Sequence, residues 1–414
     1  MKNDVKQKEI WLVNPYGPIE GENWREYSFN QFGKFLSKEG FRVVWWTSNF
    51  SHHFKKYRSN GWKDIEVSKD FVIRLVPTSS YKKNFGFGRI RKDRIFAKNF
   101  LKYTKTIYKP NLIISADNPL TKGRPSYIYA KSNNVPIIYD QMDIWPEFII
   151  QYSKPYLRWI LKIAFSSVIK KRKKIYDNLD GCIALGKNYL DFMFTISPTL
   201  KDKPHALVYN GIDVDSFRTH LKQKSLLNLL PKKQNNKIWC IFAGTLGPSY
   251  DIQNLLECAK RFNSDKESPF IFVVAGSGPF EEEIKNTSKL LDNLFYIGKL
   301  LPQDLIPIYG LCDIGLCTYS RGSNVDMCDK FYDYTAAGLA IINSLTGEVA
   351  HHIAKNKIGI NYNAEDCDSL YDALSYFKNR VVLDQSKKSS YDLGTQFDAK
   401  EQNAKLLGVI RKII

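Results

Sequence analysis

At 414 residues the chain is longer than one ordinary hydrophobic core accommodates, so two domains are expected. Hydrophobic residues at 43% and aromatics at 14% exclude a disordered or fibrous chain, and no run approaches the roughly 18–20 apolar residues that span a bilayer. The formal charge of +19 calls for an anionic partner: nucleic acid, a phosphorylated substrate or an acidic membrane surface.

In chain order, the first apolar run, 10–13, reads as a strand and is followed by a loop containing Pro15, Gly17, Pro18 and Gly21. A helix-period segment then places Phe29, Phe32, Phe35 and Leu36 on one face. Further strand signals fall at 43–45, 72–75, 112–115, 137–139, 181–184 and 207–209, with helical patterns between most of them and a long helix at 155–175 that ends in the basic run 170–174. Strand–helix alternation of this kind builds a parallel sheet. The polar segment 221–237, rich in Lys, Asn and Gln, reads as a linker, after which the same grammar restarts with strands at 238–243, 270–275, 294–297, 314–317 and 340–342. The expected division is an N-terminal domain over 1–225, a second Rossmann-like domain over 226–392, and a C-terminal helical segment over 393–414. The first ten residues are polar and lack a signal-peptide layout, which predicts a cytoplasmic protein. The seven scattered cysteines read as reduced, mostly buried thiols, and their spacing offers no metal site.

In an open α/β sheet, ligands bind beyond the carboxyl ends of the strands, where helix N-termini present unpaired N–H groups. Four second-half loops fit that place: Gly244-Thr245-Leu246-Gly247, Gly276-Ser277-Gly278-Pro279, Gly298-Lys299, and 321–330, which opens with Arg321. Turn chemistry accounts for any one of these glycines; four such loops at one sheet end are the signal. In the segment 329–342, Lys330 and Asp333 stand three apart and share a helical face, so an ammonium and a carboxylate reach the same ligand, the alternative being a surface ion pair. The cation suits a diphosphate and the carboxylate a ribose diol.

This segment resembles the signature of family-4 glycosyltransferases: a Lys, two apolar residues, an acid, then Tyr, a small pair and Gly before a strand. The Gly244–Gly247 and Gly276–Gly278 turns resemble the family's Gly-rich turns, and Gly347-Glu348 resembles its turn after a later strand. The resemblance implies the GT-B architecture, an α/β fold of two Rossmann-like domains facing across a cleft with the C-terminal helix packing back on the first. It also implies that Asp333 meets the nucleotide ribose and Lys330 the diphosphate. The sequence departs from the family at Val325, where the first of two paired acids belongs, leaving Asp326 or Asp329 as substitutes; the usual Arg and Lys after the first strand of the second domain are also missing, so Lys330 and Arg321 are left to meet the diphosphate.

In the first half, Asp140-Gln141-Met142-Asp143-Ile144-Trp145-Pro146-Glu147 follows a strand and resembles an Asp-Leu-Trp-Pro motif of family-4 enzymes that transfer N-acetylated amino sugars in surface-polysaccharide assembly. The resemblance gives Asp143 the acceptor hydroxyl; the bland reading is a helix N-cap at Asp143 with Pro146 in the first turn. The loop with Gly17 and Gly21 resembles the family's loop beneath the donor sugar. The basic helix carries Trp159, Ile160, Ile163, Phe165 and Val168 ahead of its charge run, and it reads either as a membrane-docking surface or as a core-packed helix with a solvated end. Tyr81, Phe85, Phe87, Phe96 and Phe100 fit the same membrane-facing view.

The resemblance, taken with the charge and the scarcity of metal-ligand spacings, implies a retaining, metal-independent, cofactor-free glycosyltransferase that takes a nucleotide-sugar, most simply UDP-linked, to a glycan or polyprenyl-diphosphate-linked acceptor at the inner face of the plasma membrane. A nucleotide-sugar epimerase or a non-catalytic partner subunit of the same fold stays open. A nucleic-acid binder is the distant alternative, since no zinc spacing or RNA-binding signature accompanies the charge.

Overall fold

In a computed structural model, which describes residues 7–82, 86–117, 120–223, 229–323 and 325–414, the chain forms two compact units: Met1–Asn210 with Lys400–Ile414, and Gly211–Ala399. The linker expected at 221–237 includes 224–228, which lie outside the described residues.

The first unit is built on eight strands: β1 (Glu9–Val13), β2 (Arg42–Ser48), β3 (Lys63–Ser68), β4 (Phe71–Val76), β5 (Leu112–Ala116), β6 (Ile137–Gln141), β7 (Gly181–Ala184) and β8 (His205–Leu207). Their order is β3-β4-β2-β1-β5-β6-β7-β8, parallel throughout except for β3, which runs antiparallel to β4. The near-continuous apolar runs follow from burial on both faces. Side chains alternate across the sheet: Ile10, Leu12 and Trp45 pack on one side with Phe29 and Phe32 of the Ser28–Lys38 helix, while Trp11, Val13 and Trp46 pack on the other with Phe96 and Phe100 of the Phe87–Tyr103 helix. Leu406, Leu407, Val409 and Ile410 of the C-terminal helix join the first of these cores.

Two elements escaped the sequence reading. Strand β3 is a charged edge strand whose Ile65 and Val67 alone touch the core, a pattern too weakly apolar to announce a strand. The other is β14 (Gly359–Asn361), two half-buried residues and an exposed Asn361 at the edge of the second sheet. Strand β8 also lies two residues ahead of the expected 207–209.

The second unit carries β9 (Ile238–Thr245), β10 (Phe270–Ser277), β11 (Leu294–Tyr296), β12 (Ile314–Cys317), β13 (Ala340–Asn343) and β14, all parallel, in the order β11-β10-β9-β12-β13-β14. Numbered within the unit, that is the doubly wound order 3-2-1-4-5-6, whose direction of winding reverses between β9 and β12 and opens a crevice there.

The helix read as a membrane surface divides in two. In and just before the Arg158–Tyr176 helix, Tyr156, Trp159, Ile160 and Ile163 are exposed, whereas Arg172, from the middle of the basic run, is buried. The other aromatics given a membrane-facing reading do not share one surface: Tyr81, Phe96 and Phe100 are buried and only Phe87 is exposed, because the Phe87–Tyr103 helix turns its aromatic stripe onto the sheet. Phe85 lies outside the described residues. No helix among the described residues is long and apolar enough to cross a membrane.

Candidate functional site

At the carboxyl end of the second sheet the glycines form a continuous floor. Gly276 pairs with Gly244 across β9 and β10, and its N–H donates to the Gly298 carbonyl at 2.8 Å, so the loops after β9, β10 and β11 lie edge to edge. Leu246 N–H donates to Ser277 O at 3.0 Å, and Phe280 N–H returns to Leu246 O at 2.9 Å. The approach leaves no room for side chains: a Cβ on Gly276, whose φ is +144°, would stand 1.8 Å from the Gly244 carbonyl oxygen, and one on Gly278 would stand 2.4 Å from that of Leu246. Gly247 and Thr245 border this floor, Gly247 with ordinary space around it.

Lys330 lies on the Asp329–Ala337 helix, between β12 and β13, and its side chain returns to the switch point. A Cβ on Gly244 would meet Lys330 Nζ at 3.0 Å. The ammonium sits 4.0 Å from the centroid of Tyr250, 4.9 Å from that of Tyr319 and 5.1 Å from that of Phe242, an aromatic enclosure that accommodates a cation while removing water from it. Lys330 is only 7% exposed, yet no carboxylate among the described residues lies within ion-pair distance of it. Its charge acts on its surroundings: the buried Cys328 thiol is held below its ordinary value, first by the hydrogen bond with Cys317 and then by the Lys330 ammonium. All seven cysteines are free and six are buried.

Asp333, one turn along the same helix, is half-buried. Of the two substitutes for the missing acid, Asp326 is committed elsewhere. It is buried, and its Oδ1 accepts the Glu348 N–H at 3.3 Å, fastening the start of the Glu348–Asn356 helix just after Gly347, which adopts φ +81°. Glu348 itself is buried beside His352, 3.7 Å away. Asp329 opens the Lys330 helix and is half-buried. Arg321 is mostly exposed and turned toward β14's far loop, donating to Ala364 O at 3.1 Å and lying 3.8 Å from Glu365. Lys299 is exposed beside Gly298. Among these cations Lys330 is the one that lies against Gly244 at the switch point, while Arg321 is directed away to Glu365.

In the first unit, Asp143 sits in the loop after β6 and does not cap a helix. Its Oδ1 accepts the N–H of Ile144 at 2.9 Å, and the following helix, Glu147–Tyr152, starts after Pro146. The bond between Trp145 and Pro146 is cis. This loop is braced from beneath: buried Arg172 donates to Trp145 O at 2.9 Å and pairs with Glu147. Gly17 and Gly21, with φ +96° and +82°, shape the loop after β1, where Arg58 donates to Gly17 O at 2.7 Å and to both oxygens of Glu22.

A second brace went unread in the sequence. Tyr176 O–H lies within hydrogen-bond distance of both Asp117 Oδ2 and Gln141 Oε1, and the Gln141 amide donates to Asp143 O. A phenol has one hydrogen for these two acceptors, so a proton on Asp117 completes the network, with Tyr176 donating to Gln141. Burial raises Asp117 to about 7, partly offset by the Tyr176 hydrogen bond, and raises Asp140 to about 8, with the Asp117 charge adding to it. Neither Asp140 oxygen has a hydrogen-bond partner. An aspartate near 3.9 when unfolded binds its proton more tightly in this fold, so its stabilising contribution is complete below about pH 4 and disappears as pH rises through 7 to 8. The melting temperature is expected to fall between pH 5 and pH 7, below the range where the buried Lys92 titrates, and Asp140→Asn to flatten that fall; an equally steep fall in the variant would show that this carboxyl is not its source. Three separate elements supply Asp117, Gln141 and Tyr176, and no local motif connects them.

Among the described residues no three His, Cys, Asp or Glu side chains gather as metal ligands. Residues 230–388 match the family described as Glycosyl transferases group 1. No curated protein matches the sequence. Solved structures share the fold over nearly the whole chain. Sucrose-phosphate synthase from Thermosynechococcus elongatus is 14% identical with a TM-score of 0.70, covering 98% of this chain and 99% of that one. Anabaena HepE in complex with UDP and glucose is 11% identical with a TM-score of 0.66, covering 98% and 100%. WaaG, described as a glycosyltransferase involved in lipopolysaccharide biosynthesis, is 12% identical with a TM-score of 0.63, covering 97% and 99%. Residues 230–388 are therefore a glycosyl transferases group 1 domain, and the chain that carries them is a glycosyltransferase of the GT-B fold.

Proposed function

We propose that the chain transfers a sugar from a UDP-sugar, with retention of configuration and without a metal ion, to a lipid-linked glycan acceptor of surface polysaccharide. The observation that carries the donor half is the Lys330 ammonium, buried among three aromatic rings at the switch point and resting on Gly244. A diphosphate laid on the glycine floor brings its charge to that cation and to the loop N–H groups, so the leaving group is stabilised as the glycosidic bond breaks. Asp333, on the same helix face, takes the ribose hydroxyls, while Thr245, Gly247, Gly278, Gly298 and Lys299 border the floor and Gly347-Glu348 follows β13. UDP as the nucleotide is supported by HepE, whose structure holds UDP and glucose. In the first unit Asp143 is assigned the acceptor hydroxyl and the loop of Gly17 and Gly21 the donor sugar, both on the resemblance to family-4 enzymes. An amino sugar as the transferred group is supported by the Asp143–Pro146 motif.

Association with the inner face of the plasma membrane is part of the same reading. Exposed Trp159, Ile160 and Ile163 lie among Arg158, Lys162 and Lys170, and beside them a 610 Å³ groove is lined by Ile150, Ile169 and those three cations. Apolar rings ringed by basic side chains suit an anionic bilayer, with each cation near the surface worth about 1 kcal/mol.

Calorimetric titration of UDP, GDP, ADP and dTDP in EDTA tests the donor assignment. UDP is expected to bind alone or tightest, and Asp333→Ala to weaken it about tenfold, the loss of one charge-assisted hydrogen-bond partner. Binding of no nucleotide would refute the assignment, as would UDP binding that is abolished by EDTA.

A further inference from the structure

In the second unit two thiols 109 residues apart in the chain face each other. Cys258 lies in the Ile252–Ser264 helix and is fully buried, Cys367 opens the Cys367–Tyr376 helix and is half-buried, and their sulfurs stand 3.6 Å apart. The Cys258 thiol also lies 3.4 Å from the Cys367 carbonyl oxygen. The two helices are fastened on both sides of the pair. Phe262 stacks on Tyr371 with ring centroids 4.3 Å apart, and at the other end Asp251 accepts the Tyr362 O–H at 3.0 Å and the Glu365 N–H at 2.9 Å. An interface held in this way keeps the two sulfurs opposed, about 1.5 Å beyond the bonding distance of about 2.0 Å, a gap that side-chain rotation and a small helix shift close.

Access and charge set this pair apart from Cys317 and Cys328, which lie 3.9 Å from each other. Both of those are buried, whereas Cys367 is reachable from solvent. Arg261 brings its Nη1 to 3.8 Å from the Cys367 Sγ, and it is held there by Asp368 at 2.6 Å and by the Tyr371 ring, whose centroid is 4.2 Å from the guanidinium. A guanidinium and the N–H groups of a helix start are the surroundings that receive a negatively charged sulfur, the attacking species in thiol oxidation. Burial holds the Cys258 thiol above its ordinary range, with the neighbouring Cys367 adding to it, so Cys258 is suited to react second.

We infer that Cys258 and Cys367 form a reversible dithiol that a hydroperoxide converts to a disulfide, Cys367 reacting first and Cys258 resolving it. The Cys367 sulfur attacks one peroxide oxygen, the O–O bond breaks, and a sulfenic acid forms as the other oxygen leaves as water. The Cys258 sulfur then displaces the sulfenic oxygen, giving the S–S bond and a second water. Two thiols and one hydrogen peroxide thus yield one disulfide and two waters, the sulfurs losing the two electrons that the peroxide oxygens take up. A small dithiol reductant reverses the step by exchange. The bond would staple the Cys367–Tyr376 helix to the helix that begins just after Tyr250, whose ring lies 4.0 Å from the Lys330 ammonium. This site stands independently of the transferase reading.

The test treats the full chain with a small molar excess of hydrogen peroxide, counts free thiols after denaturation and maps non-reduced peptides by mass spectrometry. The count is expected to fall from seven to five, the map to show the peptides of Cys258 and Cys367 linked, and dithiothreitol to restore all seven thiols. In Cys258→Ser the sulfenic acid should persist on Cys367 and be captured by dimedone, while Cys367→Ser should keep its remaining thiols under the same dose. The wild-type map decides the matter by itself should either variant fail to fold. Seven thiols surviving the peroxide, a link between Cys317 and Cys328 in place of this one, or an oxidised Cys367 beside a free Cys258 would overturn the inference.

Discussion

Lys330→Met is expected to raise the dissociation constant for UDP roughly 10- to 100-fold, the range for losing a charged donor to a diphosphate. Methionine keeps the unbranched stem between Phe242, Tyr250 and Tyr319, so the variant removes charge and leaves packing nearly intact. The size of the effect follows from the neighbourhood. With Arg321 directed to Glu365, no other side chain identified at the floor supplies a buried cation, and the aromatic enclosure keeps the ammonium poorly hydrated before any ligand arrives. Removing the charge also relieves the protein of a buried ammonium that has no carboxylate within ion-pair distance among the described residues, so the melting temperature should hold or rise as affinity falls. Calorimetry with UDP alongside thermal melts checks both halves. Unchanged affinity would mean that the diphosphate lies elsewhere.

Gly276→Ala should be among the most damaging single methyl additions in the second unit. Its Cβ would lie 1.8 Å from the Gly244 oxygen, a backbone atom that moves only if β9 and β10 separate, and alanine is also strained at φ +144°. Overpacking and strained backbone together cost roughly 2–5 kcal/mol. Gly247→Ala is the control, because its Cβ would meet only Pro279 at 3.6 Å and Thr245 at 3.7 Å, ordinary contacts without a positive φ. Chemical unfolding of the two variants is expected to separate them by at least 2 kcal/mol, and the Gly276 variant to lose UDP binding as the floor opens. Equal stability of the two would show that β9 and β10 are spaced more widely than the backbone hydrogen bonds describe.

Periodicity and apolar runs by themselves determined the parallel strands of the two sheets, since a strand buried on both faces has to be a continuous hydrophobic run and writes itself plainly into the chain. They also determined where glycines interrupt strand and helix. Charge and edge strands were read poorly. The Lys63–Ser68 strand hides among charged residues because one edge faces water, and the basic run 170–174 gave no sign that Arg172 turns inward to Trp145 and Glu147. The strand order, with its reversal between β9 and β12, was left to the crossovers of the tertiary structure. So were the enclosure of Lys330 by residues 242, 250 and 319, the diversion of Asp326 to a helix start, and the meeting of Asp117, Gln141 and Tyr176 under the Asp143 loop. Local sequence encodes which residues seek burial, a property each segment carries alone. Which buried groups then share a proton, a charge or a ring depends on contacts between segments far apart in the chain, and packing alone creates those.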